Sequence, residues 1–257
     1  MTTDSSPRTV LRTRIRFAGW TALTALALGI VAVLFWTQLV MPADRTAAQA
    51  VFDDPAVTVT DTDVSVVIAP AEERSVAGLV FIPGAKVDPY AYLATLAPTV
   101  AETGMTVVIT KPVLNLAFFD QRPLDTFTAT APDVAAWFVG GHSLGGVRAC
   151  MYAEDNEVAG LVLFGSYCAS AVDDELPVLS LSGSEDGLST PAKIEDTADL
   201  LPADTTFVRI EGANHASFGA YGAQPGDGEA TLTRAASERA ITEALSSFIT
   251  LRAPQSQ

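Results

Sequence analysis

Gly141-His142-Ser143-Leu144-Gly145 has the form G-x-S-x-G, and the chain holds two histidines, His142 and His215. A serine becomes a nucleophile when a sharp strand-to-helix turn presents its hydroxyl and an imidazole takes the proton. Such a turn strains the backbone and brings strand and helix close together, which favours minimal side chains around it. Gly140, Gly141, Gly145 and Gly146 supply four of them. His142 adjoins the serine, so its side chain is expected to point away from the hydroxyl. His215 is then the candidate base, delivered by the short loop Glu211-Gly212-Ala213-Asn214 after an apolar run.

An imidazole that gains a proton needs a carboxylate to orient it and stabilise its charge. In the order serine, acid, histidine, the acid lies between positions 143 and 215. Asp155, Asp173, Asp174, Asp196, Asp199 and Asp204 read as helix or surface residues. Asp186 directly follows the apolar run Pro177–Leu181, through Ser182-Gly183-Ser184-Glu185. It is the expected acid, with Glu185 in reserve. A tetrahedral intermediate also needs two aimed N–H donors. The Leu144 amide at a helix start is one; the other is expected from Pro83-Gly84-Ala85-Lys86, with Ala85 ahead of Lys86. This set performs acyl transfer and requires no cofactor. Cys150, Cys168 and the two histidines show no zinc-type spacing, so no metal is expected.

The elements that must carry these residues alternate between strand and helix. Val57–Thr60 and Val64–Ala69 read as a hairpin across Asp61-Thr62-Asp63. Gly78–Ile82 is a continuous apolar run, as in a strand buried on both faces. A helix is expected over Pro89–Thr103, capped by Asp88 and stopped by Gly104. Strands follow at Thr106–Thr110, Ala136–Gly140, Val158–Phe164, Pro177–Leu181 and Thr206–Ile210. Helices are expected at Leu144–Ala153, Pro191–Leu200 and Glu229–Leu251. This alternation predicts an α/β fold, a mostly parallel sheet with helices on both faces. Twelve residues, Gly165 to Leu176, separate the strands where a lid would insert, too few for a large one.

Ahead of this domain, Phe17–Met41 contains no charged residue. At 1.5 Å per residue it would reach about 37 Å as a helix, enough to cross a hydrocarbon core of about 30 Å. Trp20 and Trp36 stand near its ends, where indole rings favour the interface. Arg8, Arg12, Arg14 and Arg16 precede it and no comparable basic cluster follows. The expected topology is therefore a cytoplasmic basic tail (1–16), a transmembrane anchor (17–41) and an exported remainder. Ala48-Gln49-Ala50 resembles a cleavage site, but the apolar run exceeds the 7–15 residues usual in a signal peptide. Residues 42–55 read as a linker, 56–251 as the hydrolytic domain and 252–257 as a tail. The expected location is the cell membrane, single-pass.

Formal net charge is −15, and the residues after Met41 carry −18. That surface repels phosphate backbones and excludes a nucleic-acid partner. An oxidising compartment permits a Cys150–Cys168 disulfide; two separate buried thiols are the alternative. The sequence sets no oligomeric state.

The chain resembles the α/β-hydrolase superfamily, and within it the small dienelactone-hydrolase-like group with a serine nucleophile. The matching residues are Pro83-Gly84-Ala85, Gly140 to Gly146, Gly183 to Gly187, and Asn214-His215-Ala216-Ser217-Phe218-Gly219. The last continues through Tyr221 to Gly228, which looks like a subgroup signature. Dienelactone hydrolases use cysteine where Ser143 stands, so the resemblance implies fold and triad and leaves lactone specificity aside. It implies a serine esterase acting on a small-molecule ester. Two other uses of the pattern stay open: an exported scaffold that binds a partner without catalysis, and an amidase or acyltransferase on the same triad.

Overall fold

The structure is a computed structural model that describes residues 7–72 and 76–253. It divides into an N-terminal unit ending at Leu39 and a larger unit from Val40 onward. The tails expected at 1–16 and 252–257 lie partly outside the described residues.

In the first unit, Pro7–Thr37 forms one helix, α1. Its stretch Arg14–Thr37 has a mean hydropathy of 2.0 and is long and apolar enough to cross a membrane. The helix stops at Thr37, four residues before the expected end of the span. Met41 already belongs to the second unit, within which it makes a parallel bridge to Val87.

The segment expected to be a linker is folded. Arg45–Phe52 forms α2, with the Asp44 carboxylate accepting from the N–H groups of Thr46 and Ala47. Alanine-rich sequence favours the helix, and Val51, 7% exposed, anchors it in the core. Asp44 also pairs with Arg234 at 2.5 Å. The larger compact unit thus takes in residues from Val40 onward.

An eight-stranded sheet follows: β1 (Val57–Asp61), β2 (Ser65–Pro70), β3 (Ala77–Ile82), β4 (Thr106–Thr110), β5 (Ala136–His142), β6 (Gly160–Phe164), β7 (Val178–Gly183) and β8 (Thr206–Ile210). Their spatial order is β1-β2-β4-β3-β5-β6-β7-β8. β2 runs antiparallel to β1 and β4, and every pairing from β4 to β8 is parallel. Alternating residues serve opposite faces. Leu79 and Phe81 join a core with Leu93, Leu96 and Val100 of α3 (Leu93–Thr103) and Ile241, Leu245 and Phe248 of α7 (Arg234–Arg252). Val80 and Ile82 join a second core with Ala149, Cys150 and Tyr152 of α5 (Leu144–Asp155), and with Phe127 of the short α4 (Asp125–Thr128). Helices therefore cover both faces. The short α6 (Pro191–Asp196) fills part of the β7–β8 crossover.

Two helices begin later than the sequence predicts. Pro89–Tyr92 is a 3-10 turn before α3. The N–H groups of Thr231 and Leu232 both donate to the Gly212 carbonyl, which draws residues 231–232 into the loop before His215. α7 then starts at Arg234, capped by the Thr233 hydroxyl. Between β6 and β7 no helix forms.

The chain leaves β3 for β4 on one side and returns to β5 on the other. In a parallel sheet, ligands bind at such a reversal, where loops from the strands' carboxyl ends diverge. The loops after β3 and β5 are those carrying Ala85 and Ser143.

Candidate active site

Ser143 sits between the end of β5 and the start of α5 with φ 53° and ψ −125°. A non-glycine residue there is strained by roughly 1–3 kcal/mol, and such strain persists where the surroundings enforce it. Two hydrogen bonds do so. The Ser143 N–H donates to the Phe164 carbonyl at 3.0 Å, and the Ser166 hydroxyl donates to the Ser143 carbonyl at 2.7 Å. Close packing completes the turn. A Cβ on Gly145 would overlap the Ile82 carbonyl oxygen and sit 2.5 Å from that of Pro83. Glycine at 145 lets the loop after β3 lie directly against the serine turn.

Asp186 follows β7 in a turn that fixes its carboxylate. Oδ1 accepts from the N–H groups of Leu188 at 2.8 Å and Ser189 at 2.7 Å. Oδ2 is left for His215 Nδ1, at 2.8 Å. Both side chains are buried, and the carboxylate can only accept when ionised. The Nδ1–H therefore donates to it, and Nε2 is left outside this pair. That Nε2 is buried and has no hydrogen-bond partner among the described residues. His215 opens a 3-10 turn fixed by a reciprocal capping pair, Asn214 with Ser217. The reserve residue Glu185 bonds instead to the Ser184 hydroxyl, away from the imidazole.

In the loop after β3, neither the Ala85 N–H nor the Leu144 N–H donates a hydrogen bond among the described residues. The Gly84 N–H donates to the Tyr92 hydroxyl at 2.9 Å, and the Lys86 N–H donates to the Asn115 carbonyl at 2.8 Å. These anchor the residues on either side of Ala85 and leave its amide free.

His142 lies next to the candidate base. Its ring lies 4.4 Å from that of His215, centroid to centroid, and is fully buried among Tyr92, Phe218 and Tyr221. The Tyr92 hydroxyl accepts from Gly84 and shares a hydrogen bond with His142 Nδ1, 2.9 Å away. Burial, with a smaller contribution from the neighbouring His215, holds the His142 pKa well below the ordinary imidazole value. His142 is neutral and packs; it is not a second base. Burial likewise raises the Tyr92 and Tyr221 phenols, which stay protonated.

Sequence reasoning missed Tyr92, Ser166 and the hydrogen bonds of Asp227. Tyr92 and Ser166 carry no local motif. Asp227 lies in the glycine-rich stretch already singled out, and that placement was the available signal. Cys150 and Cys168 are bridged, with Cα atoms 5.6 Å apart, tying α5 to the loop after β6. Among the described residues no group of three His, Cys, Asp or Glu could hold a metal ion.

Comparison with known proteins agrees with this architecture. Residues 78–239 match the Alpha/beta hydrolase family, and the chain belongs to it. An esterase of Pyrobaculum calidifontis superposes with a TM-score of 0.57 at 14% identity, covering 82% of this chain and 91% of that one. A lidless α/β serine hydrolase of Xanthomonas campestris gives 0.54 at 14% identity, covering 79% and 96%. The esterase domain of a Rhodothermus marinus protein gives 0.51 at 14% identity, covering 75% and 96%. At these identities the likeness is one of fold. No curated protein sequence matches the chain.

Proposed function

We propose that the protein is a serine esterase in which Ser143, His215 and Asp186 form a catalytic triad. The observation that carries this reading is the 2.8 Å Asp186–His215 hydrogen bond, which leaves the buried His215 Nε2 without a partner, in a chain whose Ser143 is held at φ 53°. His215 Nε2 removes the Ser143 proton, and Oγ attacks the ester carbonyl. The amides of Leu144 and Ala85 hold the oxyanion, and the protonated imidazole gives its proton to the leaving alcohol. Water, activated by the same imidazole, then releases the acyl group. The residues follow the serine-bearing dienelactone-hydrolase-like pattern. A small soluble ester is the substrate class that suits a site with no helical lid.

The reading extends to location. The apolar stretch Arg14–Thr37, preceded by arginines, supports an anchor with its N-terminus in the cytoplasm and the domain outside. The Cys150–Cys168 bridge suits an oxidising compartment.

Fluorophosphonate labelling and p-nitrophenyl acetate hydrolysis test the triad together. Ser143→Ala is expected to abolish labelling and lower kcat by roughly 10³–10⁶. Near-normal turnover by that variant would overturn the mechanism.

A further inference from the structure

Asp227 lies outside the triad, yet its carboxylate joins the loop of the acid to the loop of the base. Oδ1 accepts from the Gly187 N–H at 3.1 Å, the His215 N–H at 3.0 Å and the Gly228 N–H at 2.8 Å. Oδ2 accepts from the Ala216 N–H at 2.9 Å. Gly187 follows Asp186 directly, and the amides of 215 and 216 flank the His215 Cα. One side chain therefore clamps the backbones from which both partners of the Asp186–His215 bond project. An ionised acceptor forms bonds roughly twice as strong as a neutral one, which suits a clamp between two loops.

The segment bearing Asp227 is seated for this task. Asn214 Nδ2 donates to the Gly228 carbonyl at 2.8 Å. A Cβ on Gly187 would lie 2.7 Å from the Gly228 nitrogen, and one on Gly228 would overlap the Glu185 carbonyl oxygen. Backbone meets backbone at this crossing, and glycine at 187 and 228 permits it. Gly226, at φ 86°, turns the chain into the contact.

We infer that Asp227 is a positioning residue for catalysis: it sets the distance and orientation between Asp186 and His215 by holding their loops in register. The inference rests on the triad reading above. Asp227 touches no substrate in this account and moves no proton. Its effect passes through the imidazole, so it belongs in kcat rather than in KM. A misplacement of about 1 Å can cost a reaction about a hundredfold. An asparagine at 227 keeps the shape but turns an N–H₂ group toward at least one of the four donors.

The test uses the full-length protein in membranes, with active sites counted by fluorophosphonate labelling carried to completion. Asp227→Asn and Gly228→Ala are each expected to lower kcat per labelled site about 10- to 100-fold, with KM within about twofold. The deciding comparison repeats Asp227→Asn in an Asp186→Ala background. There the clamp has no Asp186–His215 bond to hold, and the further loss should shrink to about threefold or less. A purely structural role would lower the folded, labelled fraction equally in both backgrounds and leave kcat per site unchanged. That result, or equal kcat losses in the two backgrounds, overturns the inference. Should Asp227→Asn not accumulate, Gly228→Ala in both backgrounds decides on the same criteria. Failure of the triad reading looks different: Ser143→Ala would then remain active whatever Asp227 does.

Discussion

His142 and His215 lie ring against ring, 4.4 Å apart, and Asp186 bonds only the second of them. Burial therefore acts on His142 without a compensating carboxylate. Its pKa falls well below the usual imidazole range, chiefly from desolvation and secondarily from the neighbouring imidazole.

A pH dependence of stability follows from that asymmetry. In the unfolded chain His142 takes up a proton near pH 6.5, while in the fold it stays neutral until much lower pH. Between those limits the unfolded state binds more protons, so stability falls as pH falls. The contribution is fully present above about pH 7 and declines below 6.5 by up to about 1.4 kcal/mol per pH unit. His142→Gln, which cannot ionise, should be less stable than the wild type at pH 8 and close the gap toward pH 5. Melting temperatures of both proteins across that range provide the check. A gap that stays constant would show that His142 does not resist protonation in the fold.

The disulfide offers a second expectation, because it spans 18 residues and ties α5 to the loop after β6. Closing a loop of that length stabilises by about 3 kcal/mol in the chain-entropy view. Replacing both cysteines with serine should lower the denaturation midpoint accordingly and leave KM for a simple ester near the wild-type value. Titration of the denatured, unreduced protein should find no free thiol. Two free thiols would remove both the bridge and the support it lends to export.

How much of this was legible in the sequence depends on the range of the interaction. The strands that lead to Ser143, Asp186 and His215 were readable because each is an apolar run, and a parallel sheet delivers strand ends to one edge. The hairpin and Thr206–Ile210 were readable from local alternation and length. The helix at Arg45–Phe52 was not, because its alanines suit a linker as well as a helix. What decides is Val51 entering the core and Asp44 meeting Arg234, 190 positions away. The contact of His142 with His215 was not legible for a similar reason. Adjacency to Ser143 does not name its other neighbours, and the hydrogen bond with Tyr92, 50 positions back, holds it beside His215. Asp227 was noticed within a glycine-rich signature, but its four bonds become visible only once the loops meet.

Topology gives a third expectation. The span Arg14–Thr37 with arginines on its N-terminal side should leave residues 1–13 inside and the domain from Val40 outside. Protease added to intact cells should release the domain while an N-terminal epitope tag survives. Protection of the domain would reverse the orientation. Recovery of a mature chain beginning near Val51 would indicate cleavage after Ala50, which would remove most of α2 and its Asp44 cap.

Acyl-chain length is the last expectation, and it comes from what borders the serine turn. Between β6 and β7 the chain runs without a helix, and its loop is held down by Cys168 bonded to Cys150. Nothing in that segment has the size to open over an oil surface. On the other side two short 3-10 turns, Val113–Asn115 and Ala117–Phe119, follow β4. Phe118 and Phe119 are 69% and 50% exposed and meet edge to face. As an acyl-binding wall, the role assigned to them by this prediction, they would supply only a limited apolar surface. Each methylene that a site buries contributes about 0.8 kcal/mol, so selectivity rises with chain length only while there is surface to cover it. In a p-nitrophenyl ester series on the domain from Val40, kcat/KM should peak at short acyl chains and fall beyond medium length. Phe118→Ala should lower activity toward the longer members more than toward acetate, because a longer chain has more apolar surface to lay against the ring. No jump in rate is expected at the concentration where substrate forms micelles. A steady rise to long chains with such a jump would instead mark the exposed phenylalanines as a contact for lipid and the enzyme as lipase-like.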